Sequence, residues 1–307
     1  MNLVSWIVLT PFIGLLLEGF LRHVEAVRWM TLGVTLLTLG LAARLWADFE
    51  HSAAGMQFVD RMPLGPLPFE FVVGVDGISL PLLLLTAFLA PLCVLGSWSS
   101  IKENVKPFMM LILLAESAIA GVFSALDALL FLLFWEITIV PVYFMIAHWG
   151  GPHRIQAAIK FIVFSVAGSL LVNLGIGELN SAGGHTYDVL ALMQVEYPSE
   201  VQTWIFLALF LGFAIKIPML PVHGWIADAH GEAPTAGSVI LSGLMLKMGA
   251  YGLLRFCLPM LPEASTAFAP PIMWLSVLAI LYGGAMALVQ HDFKRLIAYS
   301  SIAHMGF

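Results

Sequence analysis

The chain has 307 residues, of which 60% are hydrophobic and only 10% charged, with a formal charge of −6 and a mean hydropathy of +0.96. Soluble domains carry about 25% charged residues, so a water-soluble fold is excluded. The basic residues are scattered rather than clustered, which argues against nucleic acid as a partner.

Apolar runs of roughly the 20 residues needed to cross a bilayer recur along nearly the whole length. The first, MNLVSWIVLTPFIGLLLEGF, has no basic residue ahead of it and no small-residue cleavage signature, so it reads as a retained span. Spans are expected at Ser5–Phe20, Val27–Trp46, Gly77–Trp98, Pro107–Ala125, Leu126–Trp149 and Ile155–Gly177. Three more are expected at Thr203–Trp225, Pro234–Leu261 and Ala269–Gln290. A tenth starts near Phe293 and stops at Phe307, too short to cross, and the chain reads as part of a longer subunit. The fold class is therefore all-α, a polytopic transmembrane helix bundle.

Between the second and third spans, about Arg44 to Asp76, the sequence turns polar but is too short to hold a core of its own. Met62 to Pro68 is rich in Pro and Gly, and Phe69-Glu70-Phe71-Val72-Val73 predicts a short extended segment on the membrane face. Arg22, Arg28, Lys102, Lys106, Arg154, Lys160, Lys294 and Arg295 fall beside one set of alternate loops. Only Arg44, Arg61 and Arg255 fall beside the other, and Arg255 is close enough to a span end to snorkel. By the positive-inside rule the N-terminus is outside and the first loop cytoplasmic. Cys93 and Cys257 sit in apolar surroundings without metal-ligand spacing and read as buried small hydrophobes.

Ionisable groups inside spans carry the chemistry, because each is expensive in lipid and functional by default. Glu136 lies mid-span in FLLFWEITIVPVYF, and Pro141 five residues on frees the carbonyl of Ile137. A neutral helix–helix hydrogen bond is the plainer role for this carboxyl. Lys216, in FLGFAIKIPMLPVHGW, precedes Pro218 and Pro221, so its helix should break beside it, as backbone does where it lines a cavity. Burial lowers a lysine pKa and a nearby Glu raises it, so a lysine between those influences can gain and lose a proton. A purely structural Glu–Lys pair is the alternative. Lys247 is about the fourteenth residue of a span opening at Pro234, near the bilayer midplane, with no counter-charge in SGLMLKMGAYG. A water-linked proton carrier is the expected role.

His223, Asp228, His230 and Glu232 follow the broken helix in PVHGWIADAHGEAP. They lack a clear metal-ligand set, and proton uptake or interhelical hydrogen bonding suits His223, Asp228 and His230 better. Glu116, in LILLAESAIAG, is a second intramembrane carboxyl whose partner the sequence does not name. His304, in KRLIAYSSIAHMGF, is equally readable as a core histidine or a functional one. No glycine-rich dinucleotide fingerprint or cysteine cluster occurs, so no cofactor or metal is expected in this chain.

Together, FWEITIVPVYF, AIKIPMLPVHGWIADAHGEAPTAGSV, LKMGAYGLLRF and KRLIAYSSIAHMGF, with GVDGISLPL, resemble the antiporter-like proton-channel subunits of respiratory complex I, the NADH:quinone oxidoreductase. The resemblance runs from about Gly74 to the C-terminus. It implies that Glu136 is the fifth-span glutamate pairing with Lys216 of a discontinuous seventh span, Lys247 the central lysine of the eighth, and His304 a histidine of the tenth. It also implies an inverted-repeat plan of about fourteen spans. On that plan residues 1–106 hold spans one to three with an outer loop at about 47–76, 107–261 the first repeat, and 262–307 the start of a second. The implied function is proton translocation coupled to electron transfer in other subunits of a bacterial inner-membrane complex, with neighbouring antiporter-like subunits as partners. A subunit of a multi-subunit Na+/H+ antiporter or membrane-bound hydrogenase would share the same constellation.

Overall fold

The computed structural model describes residues 1–63, 65 and 69–307. Part of the Pro- and Gly-rich turn, residues 64 and 66–68, lies outside the described residues. Among the described residues, eight helices are long and apolar enough to cross a membrane, and Leu3–Glu18 is a shorter apolar helix. These do not conflict with the nine expected spans, but the helix of the seventh stops at Lys216 rather than Trp225 and that of the ninth begins at Pro262 rather than Ala269.

In chain order the elements begin with α1 (Leu3–Glu18), α2 (Val24–Asp48), β1 (Gln57–Pro63), β2 (Glu70–Val75), α3 (Ser79–Ser97) and α4 (Val105–Ser124). Next come α5 (Ala128–Ile137), α6 (Ile139–Trp149), α7 (Arg154–Ala182), α8 (Val189–Leu192), α9 (Ser199–Lys216) and α10 (Ile226–Glu232). The last are α11 (Thr235–Ile240), α12 (Leu246–Gly252), α13 (Leu258–Met260), α14 (Pro262–Leu288) and α15 (Phe293–Gly306). Two π-helical turns, Leu241–Met245 and Leu253–Cys257, flank α12. The chain forms two compact units: Met1–Met145 with Thr235–Ile240, and Ile146–Pro234 with Leu241–Phe307.

In the first unit α4 is the central helix, buried along nearly its whole length against α1, α2, α3 and α5. The extended segment expected near residue 70 is β2, and it pairs antiparallel with β1, a strand not anticipated from the sequence. The β1 residues alternate only partly exposed and partly buried, and its charges obscure that period. The hairpin is tied to the helices at two places. Leu126 donates its N–H to the Val72 carbonyl at 2.8 Å, and Asp127 Oδ1 accepts from Leu129 and Leu130, both at 2.9 Å, capping α5. At the other end Asp60 Oδ2 accepts from Ser5 Oγ at 2.6 Å and Asn2 N at 2.8 Å, while Asn2 caps α1.

The Ser5 hydroxyl, then the Asn2 amide, hold the Asp60 carboxyl below its usual range, the α-ammonium at 3.6 Å adding to them. A depressed pKa contributes stability above the unfolded-state value, and that contribution is lost as pH falls through the folded-state value. Hydrogen-exchange protection of the first helical turn, corrected for intrinsic rate, should therefore hold from neutral pH to the ordinary aspartate range and decline in stronger acid. Asp60→Asn should remove the pH-dependent part; unchanged protection in that variant would rule out an electrostatic tie.

In the second unit α7 and α9 cross closely. A Cβ on Gly212 would lie 2.7 Å from the Gly168 carbonyl oxygen, so only glycine lets the two backbones approach. Phe206 of α9 stacks on Phe268 of α14, ring centroids 5.3 Å apart. Near the start of α9, Gln202 donates to the Tyr197 carbonyl at 2.9 Å and accepts from Glu263 N at 3.1 Å. Burial pushes the Tyr197 phenol up to about 12. Arg255 does not snorkel. It is 6% exposed, with its guanidinium over the Tyr251 ring at 5.1 Å and its Nε donating to the Tyr251 hydroxyl at 3.1 Å.

Candidate proton-handling site

Glu136 belongs to the first unit and is half-buried near the end of α5. The span expected at 126–149 is interrupted at Thr138, where α5 gives way to α6. Pro141 has no N–H to return to the Ile137 carbonyl, which is the physical reason a break falls here. The Thr138 hydroxyl bonds back to the Trp135 carbonyl at 2.7 Å, supplying one local partner at the interruption. Glu116 is 2% exposed on α4, and neither of its carboxyl oxygens has a hydrogen-bond partner among the described residues.

The second unit holds both lysines. Lys216 is the last residue of α9 and is 3% exposed. The helix stops there because neither Pro218 nor Pro221 can donate to the ladder, and helical structure resumes only at Ile226. The discontinuity expected in the seventh span is thus in place. A cation in the last helical turn is also favourably placed relative to the helix dipole. Lys247 lies on α12, half-buried, and its Nζ donates to the Ser242 carbonyl at 2.5 Å. That carbonyl belongs to the π-helical turn Leu241–Met245, a widened backbone of the kind that recurs at functional sites. Its acceptor there is a backbone carbonyl.

The two lysine helices touch. A Cβ on Gly249 would meet Ile217 Cγ1 at 2.7 Å and the Phe213 carbonyl oxygen at 3.0 Å, so α12 rests directly on the end of α9. The unit therefore sets two basic groups on adjoining helices, each beside a departure from α-helical backbone.

The polar segment after the break makes other contacts. Asp228 forms ion pairs with Lys160 at 2.7 Å and Arg295 at 3.6 Å, linking α7, α10 and α15. All three are partly exposed, so each pair adds little stability by itself. His223 Nε2 lies 3.2 Å from the Tyr282 hydroxyl of α14. His230 is 2% exposed on α10. Glu232 is occupied with local structure: its carboxylate accepts from His153 N and its carbonyl from Gly151 N, both at 2.9 Å. His304, in the last turn of α15, is exposed.

Sequence reasoning missed Glu18, which is fully buried at the end of α1 and bonded to the Thr31 hydroxyl of α2. Its signal, an acidic residue closing the apolar run LLLEGF, was available. It also missed Tyr282, whose role depends on α14 reaching the broken helix.

Residues 125–307 match the family model described as NADH:quinone oxidoreductase/Mrp antiporter, TM, and residues 6–120 match that of NADH-ubiquinone oxidoreductase chain 4, amino terminus. The chain is 45% identical to NADH-quinone oxidoreductase subunit M of Rickettsia bellii over 85% of its own length and 53% of the relative's. It is 41% identical to the subunit M of Escherichia coli over 99% of its length and 64% of the relative's. A chain of respiratory complex I from Thermus thermophilus with bound NADH superposes with a TM-score of 0.89 at 28% identity, over 99% of this chain and 63% of that one. The chain thus spans between about half and two thirds of the proteins it matches. With a family model covering its second half and another its first, the chain belongs to the antiporter-like membrane subunits of the NADH:quinone oxidoreductase family.

Proposed function

We propose that this chain is part of a proton-translocating membrane-arm subunit of an NADH:quinone oxidoreductase. The observation that carries the reading is the pair of lysines, Lys216 and Lys247, on two touching membrane-length helices, one at a helix break and one against a π-helical turn. Basic groups in such surroundings are costly as scaffolding and useful as proton carriers. Glu136 is proposed as the partner that modulates Lys216, by joining or leaving it and so altering its proton affinity. His304 is proposed further along the polar route, and His223, Asp228, His230 and Glu116 as uptake or supporting groups.

On this reading the chain carries no redox group or metal of its own and moves protons in response to electron transfer elsewhere in the complex. Its partners are neighbouring antiporter-like subunits, and its location is the bacterial inner membrane with the N-terminus outside. The family description also names Mrp antiporters, so the subunits that co-purify with the full-length protein distinguish the two assignments.

Lys247→Leu in the full-length subunit tests the proposal against a purely structural role. The expected result is an assembled complex with proton uptake into inverted vesicles reduced at least about tenfold. A scaffold predicts equal or better assembly with pumping unchanged, and that result would overturn the reading.

A further inference from the structure

The end of α9 leaves carbonyls without helical donors, and the partners of three of the last four can be traced. Ile217 N donates to the Phe213 carbonyl at 2.8 Å, and Met219 N to that of Ala214 at 2.9 Å. The next carbonyl, Ile215, immediately precedes Lys216 and receives the indole Nε1–H of Trp225 at 2.9 Å. Trp225 is 1% exposed, occupies the N-cap position of α10 without a side-chain cap bond, and sets its ring 5.6 Å from that of Phe161 on α7. One residue thus touches α7, begins α10, and closes the helix on which Lys216 sits.

We propose that Trp225 is a positioning residue for Lys216, acting through its N–H on the Ile215 carbonyl; the inference rests on the proton-translocation reading above. A buried indole N–H ordinarily finds some acceptor, so the existence of a hydrogen bond is unremarked chemistry. The choice of acceptor is what matters. A dry carbonyl deprived of its donor recruits another, and the ammonium of the adjoining lysine is covalently one residue away. Capture by the carbonyl at its own helix end would draw the Lys216 ammonium away from the place where the native fold holds it. The indole satisfies that carbonyl with a group that does not titrate, and keeps the backbone before Lys216 in one arrangement across the break.

The test uses the full-length subunit in its assembled membrane complex. Trp225→Phe retains an aromatic ring against Phe161 and removes the donor, whereas Phe161→Leu removes the ring contact and leaves the donor. Trp225→His returns a ring N–H. Assembly is read on native gels, electron input as NADH oxidation by an artificial acceptor, and translocation as proton uptake by inverted vesicles across a pH series. The expected result is that Trp225→Phe assembles, keeps its electron input, loses about tenfold in proton uptake and shows a displaced pH optimum. Phe161→Leu should keep the native pH profile, and Trp225→His should recover part of the uptake.

A native rate and pH profile in Trp225→Phe overturns the proposal, as does the same loss in Phe161→Leu, which would assign the effect to ring packing. Failure of both Trp225 variants to assemble also overturns it, because Trp225 is then a folding determinant only. Lys216→Met separates the two levels of inference. If that variant pumps normally, the translocation reading fails; if it does not pump while Trp225→Phe does, only the positioning role fails.

Discussion

If the proposed proton-translocation role holds, replacing Lys216 by Met or Ala in the full-length subunit leaves the complex assembled and proton translocation reduced by at least about tenfold. Two effects compete in assembly. The variant loses the interaction of a cation with the C-terminal end of α9, about 0.3–1 kcal/mol. It is relieved of taking an ammonium out of water, a burden of several kcal/mol per ion that partners only partly offset. The second effect is the larger of the two, so Lys216→Met, which keeps the length of the side chain, should still assemble, with any loss set by the groups the ammonium engages. Lys216→Ala adds a cavity and should be the weaker of the two in stability. Loss of pumping with intact assembly in the Met variant would place the lysine in function rather than scaffolding; normal pumping would end its candidacy.

Gly249→Val is expected to act through packing instead. The added Cβ would fall 2.7 Å from Ile217 Cγ1 and 3.0 Å from the Phe213 carbonyl oxygen, and a backbone carbonyl at a helix end already fully engaged cannot move aside. Overpacking of this kind costs about 1–3 kcal/mol, and a β-branched side chain adds a further restriction within a helix. A loss of that size lowers the amount of a marginally stable protein several-fold. The subunit level in membranes, measured by immunoblot, should fall accordingly, and any complex that does form should pump poorly because α12 no longer rests on α9. Gly177→Ala is the matched control, since its Cβ would meet nothing within 4 Å. If Gly249→Val accumulates as well as Gly177→Ala, the contact between the two lysine helices is not what holds them.

The membrane character of the chain and the existence of nearly every span were legible in the sequence, because a bilayer demands long apolar runs whatever they pack against. The break after Lys216 was legible for an equally local reason: prolines at 218 and 221 cannot join a helical ladder. Glu136, Lys216 and Lys247 stood out because a charge in an apolar run is conspicuous without any knowledge of its neighbours. The strand β1 was not legible, since its pairing with β2 is a long-range hydrogen-bond register that a partly buried, charged segment does not advertise.

Other features were decided only by tertiary structure. Arg255 looked able to reach solvent from its place near a span end, but the fold lays it over Tyr251 instead. Asp228 was expected to serve proton uptake or interhelical bonding with no partner named, and the fold supplies Lys160 and Arg295, residues 68 and 67 positions away in the chain, from α7 and α15. Trp225 is one of nine tryptophans in the sequence, and acquires its meaning from a carbonyl ten residues earlier that only the broken helix exposes. The chemistry that lipid makes costly is written in single residues and can be read one at a time. The partners that make it workable come from separate helices, and they exist only once those helices have packed.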